Sequence, residues 1–106
     1  VAIGPLRKQT VTVHFDRQDS GGHDLIACSS PCGPATEETA MAFLRHNRTM
    51  AHAAFAIEAT ESGEMIVVEA NQLADTADPL EITRAITSLA WQADLAEQQL
   101  LGTDQY

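Results

Sequence analysis

The C-terminal segment DPLEITRAITSLAWQADLAEQQLL, residues 78–101, carries the clearest structural pattern in the sequence. Its apolar residues recur at alternating spacings of four and three, which places them on one side of an α-helix. They are Ile82, Ile86, Leu89, Ala93, Ala96 and Leu100. A long helix with one apolar stripe must cover that stripe with other parts of the chain. We therefore expect the remaining segments to form a layer against it.

Both ends of this helix carry signals in the sequence. Asp78 is a suitable N-cap, Pro79 occupies the first helical position, and Glu81 follows Asp78 by three residues, as in a capping box. Gly102 comes after the last apolar residue of the stripe, where helices commonly end. The pattern predicts a helix over residues 79–101.

The N-terminal part predicts a β-hairpin over residues 10–30, after an extended lead-in at 1–8. Val11, Val13 and Phe15 alternate with polar residues, which is typical of a half-buried strand. Residues 17–23 favour a turn, and a second strand follows over 24–30. Matching the apolar faces gives the following register: Asp16 with Asp24, Val13 with Ala27, and Thr12 with Cys28.

Two further elements complete the chain. The sequence PCGP at 31–34 predicts a break in the strand, and Thr36 followed by two acidic residues predicts the start of a helix over 36–47. Residues 51–59 are ambiguous because alanine favours helix, but their alternation and the β-branched run at 66–68 favour a second hairpin over 51–72. The expected register pairs Ala59 with Glu64, Ile57 with Ile66, Phe55 with Val68, and Ala53 with Ala70.

The predicted architecture is therefore α+β: a two-layer ββα-ββα arrangement with an antiparallel sheet packed against two helices. At 106 residues the chain is expected to form a single domain with one modest core. Because it lacks an initiator methionine, it is also compatible with a fragment of a longer protein.

The charge balance points away from polyanionic partners. The chain has 6 Lys and Arg against 15 Asp and Glu, a formal net charge of -9. Such a chain repels phosphate backbones and anionic lipids, so neither a nucleic acid nor a membrane partner is expected. Two cysteines are too few for a disulfide framework, and a reducing, cytoplasmic location is the expectation.

Cys28 and Cys32 form the one motif that could support metal or thiol chemistry. Their CxxxC spacing lies within the range of zinc knuckles, and the predicted register places His14 diagonal to Cys28. The competing interpretation is a pair of small, polarisable residues at a strand end. Zinc ligands normally come as two matched pairs, so the second interpretation is favoured and no cofactor or metal is predicted.

No motif for catalysis is found in the sequence. His46 and His52 have no adjacent Ser or Cys nucleophile, and the dispersed glycines form no phosphate-binding loop. We therefore expect a protein that is not an enzyme.

The predicted C-terminal helix carries a binding signal on its polar side. Trp91, the only tryptophan, projects about 180° from the apolar stripe, and Leu95 is its neighbour one turn on. A self-interface or partner interface is one interpretation, because Trp is enriched at such sites. The alternatives are a helix buried on two sides or a ring folded over a loop. The second hairpin offers another candidate contact surface, made of Ala54, Ala56, Met65 and Val67.

The run FLRHNRTMAHAAFAIEA, followed by GEMIVVEANQLADTADPLEITRAITSLAWQADLAEQQL, resembles the C-terminal two-thirds of YbjN-like proteins, which share the fold of type III secretion chaperones. The resemblance lies in an LRxN phrase ending a short helix, a VVEA strand, an LADT stretch and a long acidic helix. It implies a small, acidic, non-catalytic homodimer with a chaperone-like or regulatory role. The N-terminal helix of secretion chaperones has no counterpart here.

The function predicted from the sequence is a non-catalytic protein-binding module, chaperone-like or regulatory. It would bind a segment of a partner protein and self-associate as a homodimer. The alternative is a small metal- or thiol-dependent module that uses Cys28 and Cys32.

Overall fold

The computed structural model describes residues 2–4, 7–50 and 52–100, with side chains for 9–50 and 52–98. The elements follow in the order β1 (Ala2–Gly4), β2 (Arg7–Lys8), β3 (Thr12–Gln18), β4 (Asp24–Pro34), α1 (Glu37–Asn47), β5 (Ala54–Thr60), β6 (Gly63–Leu73) and α2 (Pro79–Leu100). In the described part of the chain, no helix has both the length and the apolar character needed to cross a membrane.

Strands β3 to β6 form one antiparallel sheet in the order β3-β4-β6-β5. The core contains Phe43 from α1 and Leu89 from α2, packed together with Phe55 and Val68 of the sheet. Both helices therefore cover the same face of the sheet. The α+β fold with a ββα-ββα arrangement, predicted from the sequence, is confirmed.

The first hairpin forms, but its predicted register is wrong by one residue at Val13 and by two residues at the turn. Val13 pairs with Cys28 and Thr12 with Ser29, and the register shifts again between His14 and Arg17. The hairpin closes with Gln18 beside Asp24 rather than with the predicted Asp16.

Two features of the first hairpin explain why its register differs from the predicted one. The Asp19 carboxylate accepts the backbone N–H groups of Gly21 (2.8 Å) and His23 (2.9 Å), which holds a loop shorter than predicted. The register shift between His14 and Arg17 is a β-bulge, which places two residues of β3 opposite one residue of β4. It also leaves Phe15 73% exposed, although the alternation predicts this residue on the core face.

The PCGP sequence does not break the strand. β4 continues to Pro34 and pairs with β6 from Leu25 to Pro34, with a register shift between Pro31 and Gly33. The bulge accommodates the prolines within the strand. The lead-in also contains more structure than predicted, because β1 and β2 pair with each other.

α1 begins where the sequence predicts. The Thr36 hydroxyl accepts the N–H of Thr39 (3.1 Å), and the Thr39 hydroxyl accepts the N–H of Thr36 (2.8 Å), which forms a reciprocal cap. Phe43 is the buried side chain of this helix, and its ring meets that of Phe55 edge-on at 4.5 Å.

The second hairpin has the predicted register. Ala59 pairs with Glu64, Ile57 with Ile66, and Phe55 with Val68. Its turn consists of Glu61 and Ser62 only, because Thr60 and Gly63 already pair. The strand begins at Ala54, so the predicted Ala53–Ala70 pair is not part of the ladder, and Ala51 lies outside the described residues. Ile57, expected on the core face, is 50% exposed because it lies on an edge strand.

The stripe of α2 faces the core as predicted. Leu89, Ala93 and Ala96 are buried, whereas Ile82 and Ile86 are half-buried near the start of the helix. The Asp78 carboxylate accepts the N–H of Glu81 at 2.9 Å, which caps the first turn. The Leu100 side chain and the predicted end at Leu101 and Gly102 lie outside the described residues.

Candidate protein-binding surfaces

A groove of about 640 Å³ lies between the N-terminal half of α2 and the end of β6. It exists because β6 is longer than β5: the last pair joins Ala54 to Glu69, whereas β6 continues to Leu73. Small and apolar side chains line much of it, namely Ala53, Ala70, Leu73, Ala77, Ala85 and Leu89. Its volume lies within the range of binding clefts, roughly 300–1,000 Å³.

The Asn47 side chain shows which backbone groups of the sheet face outward. Its Oδ1 accepts the N–H of Phe55 at 2.6 Å, and its Nδ2 donates to the C=O of Phe55 at 3.0 Å. Neighbouring residues of an antiparallel strand alternate in direction, so Ala54, and not Phe55, is hydrogen-bonded to β6, through Glu69. Asn71, two residues after Glu69, therefore directs its N–H and C=O to the same side. No strand pairs with it there in the described part of the chain.

The opening beside Asn71 is short. Leu73 faces the same side, but its C=O accepts the N–H groups of Thr76 (3.3 Å) and Ala77 (3.1 Å) in the turn that leads into α2. At the other end the opening meets His52 and Ala53, which also line the groove. Asn71 thus presents one backbone donor and one backbone acceptor of a strand edge to the groove.

Two glutamines leave buried acceptors at the groove. The Oε1 atoms of Gln72 and Gln92 are buried and have no hydrogen-bond partner among the described residues. Their Nε2 atoms are engaged, because Gln72 donates to the C=O of Glu81 at 3.4 Å and Gln92 donates to the hydroxyl of Ser88 at 3.2 Å. A buried acceptor without a partner costs about 1–3 kcal/mol. A ligand that donates hydrogen bonds would remove this cost.

The residues predicted on the second hairpin lie on the sheet face opposite the helices. Ala56 pairs directly with Val67, Ala54 pairs with Glu69, and Met65 pairs with Glu58. Ala54 is exposed, Ala56 and Met65 are half-buried, and Val67 is buried beside Pro31 of β4. Polar side chains surround this small apolar patch, among them His14, Ser29 and Glu58. The structure thus brings the four predicted residues together in a mixed surface.

Trp91 and Leu95 lie on the exposed side of α2, at 46% and 45% exposure. The face that they share, called here the outer face of α2, comprises Leu80, Arg84, Thr87, Ser88, Trp91, Leu95 and Gln98, all of them exposed. Among the described residues, neither a second layer nor a loop covers the Trp91 side chain.

The two cysteines lie in the core. Cys28 and Cys32 are free and are 3% and 2% exposed. Burial raises the pKa of both thiols, that of Cys32 to about 12, with the negative charge of Glu97 adding to the effect. His14 pairs with Ala27 and so lies on the opposite face of the sheet from Cys28, which corrects the predicted diagonal placement. Among the described residues no group of three or more potential metal ligands is found.

The groove is not predicted from the sequence. Its polar residues, Asn71, Gln72 and Gln92, have the appearance of ordinary strand-end and helix-surface residues. The one signal in the sequence is the pair of amides at the end of an otherwise apolar β run. This signal indicates a groove only once two facts of the tertiary structure are known. The helix α2 lies beside β6, and β5 ends before β6 does.

Comparison with known proteins gives no information about the family of this chain. Neither a protein-family model nor a curated protein sequence matches this chain. The resemblance to YbjN-like proteins and secretion chaperones therefore stays a prediction.

Proposed function

We propose that this protein is a non-catalytic protein-binding module, with a chaperone-like or regulatory role, that holds an extended segment of a partner protein in the groove beside α2. The observation that carries the proposal is the open strand edge at Asn71 within a groove that has an apolar lining. An extended peptide placed there would continue the line of β5 and add to the sheet, which is a common mode of peptide recognition.

The chemistry of the groove supports a peptide as the occupant. The N–H and C=O of Asn71 match one residue of an extended backbone. The unpaired Oε1 atoms of Gln72 and Gln92 accept hydrogen bonds, which backbone N–H groups and basic side chains donate. The small residues that line the groove leave room for apolar side chains of the peptide.

The groove itself has one carboxylate and one guanidinium group in its lining, those of Glu81 and Arg84, so the preference for a basic segment comes from the charge of the whole chain. A net charge of -9 attracts cationic partners and accelerates their encounter. The proposed setting is the cytoplasm, where the two free cysteines would stay reduced.

The test uses a proline at the open edge. Asn71→Pro removes the N–H that faces the groove and leaves the ladder to β4 intact, because the hydrogen bonds to β4 come from the neighbouring residues. Peptides selected from a random displayed library on the wild-type protein would be synthesised and titrated calorimetrically. We expect Asn71→Pro to weaken binding about 5- to 30-fold, from the loss of one hydrogen bond and an unpaired peptide carbonyl.

Ala59→Pro is the matched control. Ala59 also directs its N–H away from β6, but it lies on β5 and far along the strand from the groove. We expect this variant to bind like the wild type. Amide hydrogen exchange provides a second readout, since the N–H of Asn71 should become protected when the peptide binds. Equal losses in both proline variants, or selection of no peptide by the wild type, would contradict the proposal.

A further inference from the structure

The outer face of α2 combines features that are unusual for the surface of such an acidic chain. Its residues fall within an arc of about 100° at 3.6 residues per turn. Leu80 is 58% exposed and, together with Trp91 and Leu95, gives the face three large apolar side chains. Thr87 and Ser88, which are small, lie between them.

This face has no carboxylate. The exposed residues of α2 between Thr83 and Gln98 include Arg84 but no Asp or Glu, although the chain has 15 acidic residues. Glu81, which precedes this stretch, is exposed, but it lies about 20° outside the arc and lines the groove. The two acids of this stretch point elsewhere: Asp94 is buried and Glu97 is half-buried. Depletion of charge together with an exposed tryptophan is the compositional signature of a protein interface.

We propose that the outer face of α2 is a homodimer interface, in which two copies of α2 pack antiparallel about a two-fold axis between Thr87 and Ser88. Six of the seven residues of the face lie in pairs at equal distances from that point, and Gln98 has no counterpart in α2. Arg84 faces Trp91 of the second copy, and Leu80 faces Leu95 of the second copy. A two-fold interface requires this reciprocity, because each contact occurs twice.

Each of these contacts is chemically favourable. An arginine over an indole ring makes a cation–π interaction. Leu80 and Leu95 bury apolar surface against each other at both ends of the interface. The small side chains of Thr87 and Ser88 allow the two helices to approach closely at the axis.

The distribution of charge favours a second copy of this chain as the partner that covers the outer face of α2. Two chains that each carry a net charge of -9 repel each other over most of their surfaces. They can meet where neither chain presents a carboxylate, and in the described part of the chain the outer face of α2 is such a place. Like-charge contacts would otherwise oppose association strongly.

The size of the face predicts a reversible dimer. The 22 residues of α2 span about 33 Å. One helix face of that length buries roughly 1,000 Å² in total on pairing, which is at the lower limit for specific interfaces. We therefore expect a dissociation constant on the order of micromolar rather than an obligate dimer.

The first experiment places a charge at the axis in the 106-residue chain. Thr87→Glu brings two carboxylates together in the dimer, at an exposed helical position where glutamate is compatible with the helix. Ser20→Glu adds the same charge in the exposed loop of the first hairpin and is the control. Sedimentation velocity should show a dimer about tenfold or more weaker for Thr87→Glu and unchanged for Ser20→Glu. The emission of Trp91, the only tryptophan, should shift to shorter wavelength as wild-type concentration rises.

The second experiment tests the register. Leu80→Glu and Leu95→Lys should each weaken self-association, and both suit the helix dipole because one lies near the N-terminus of α2 and the other near its C-terminus. Mixing the two variants places the introduced glutamate of one chain opposite the introduced lysine of the other and leaves the second pair of leucines intact. We expect the mixture to form heterodimers about tenfold or more tighter than either variant forms homodimers.

Three results would overturn the proposal. They are a wild-type protein that stays monomeric at concentrations well above micromolar, a dimer that Thr87→Glu does not weaken, and variants that do not rescue each other on mixing. Circular dichroism of each variant establishes that the fold is retained. The peptide titrations of Asn71→Pro test the groove separately, so this interface and the proposed function can fail independently.

Discussion

Replacing Asn47 with alanine tests how the edge of the sheet is closed. The Asn47 side chain makes two hydrogen bonds with the backbone of Phe55, at 2.6 and 3.0 Å. It thereby occupies the position that a neighbouring strand would take. In Asn47→Ala the N–H and C=O of Phe55 lose both partners, and Phe55 is only 6% exposed.

The magnitude follows from these two groups. A buried donor or acceptor that loses its partner costs about 1–3 kcal/mol. Some access of water at an edge strand reduces this cost, so we expect Asn47→Ala to lower the free energy of unfolding by about 2–4 kcal/mol in total. For a domain of this size such a loss corresponds to a decrease in Tm of roughly 10–20 °C.

The assay is urea unfolding followed by circular dichroism, with Arg45→Ala as the control. Arg45 lies on the same helix two residues earlier and is exposed. Its replacement should change stability by no more than about 0.5 kcal/mol. A loss below about 1 kcal/mol in Asn47→Ala would refute the assignment of this side chain as the cap of the edge, and with it the strand geometry that directs Asn71 into the groove.

Two further predictions concern buried ionisable groups. Burial and the nearby Asp94 raise the pKa of Glu97, although a hydrogen bond from Gln9 opposes the shift. A raised carboxyl pKa means that ionisation destabilises the folded state. Glu97→Gln should therefore raise Tm at pH 7 and have little effect on Tm below the unfolded pKa of 4.5. A Tm gain that is the same at both pH values would contradict this cause. Cys28 and Cys32 should resist a thiol reagent in the native protein and react once it is unfolded in guanidinium, because burial keeps both thiols protonated and inaccessible. Rapid reaction of the native protein would instead support the thiol-dependent alternative.

The outer face of α2 and the groove lie on neighbouring sides of one helix. Arg84 and Ser88 belong to the outer face and also line the groove. A dimer formed through the outer face would therefore place a second chain close to the rim of each groove. Both surfaces depend on α2 being exposed on one side, which the single apolar stripe of this helix allows.

Elements with local signals can be predicted from the sequence alone. The stripe of α2 and the cap at Asp78 follow from spacing and residue type along one helix. The register of the second hairpin follows from a short turn and matching apolar pairs such as Phe55 with Val68, because a short loop leaves few alternative pairings. The side of α2 on which Trp91 lies also follows, since it is opposite the stripe, whereas the exposure of its ring depends on the tertiary structure.

The register of the first hairpin and the groove depend on how distant segments of the chain pack together. The first hairpin has a longer loop, so a bulge between His14 and Arg17 could shift its register, and this moved Cys28 to the core face, away from His14. The groove arises from a difference in length between β5 and β6 and from the placement of α2 beside Asn71. Neither property belongs to one segment of sequence. Each depends on which backbone groups remain unpaired after all the segments have packed together.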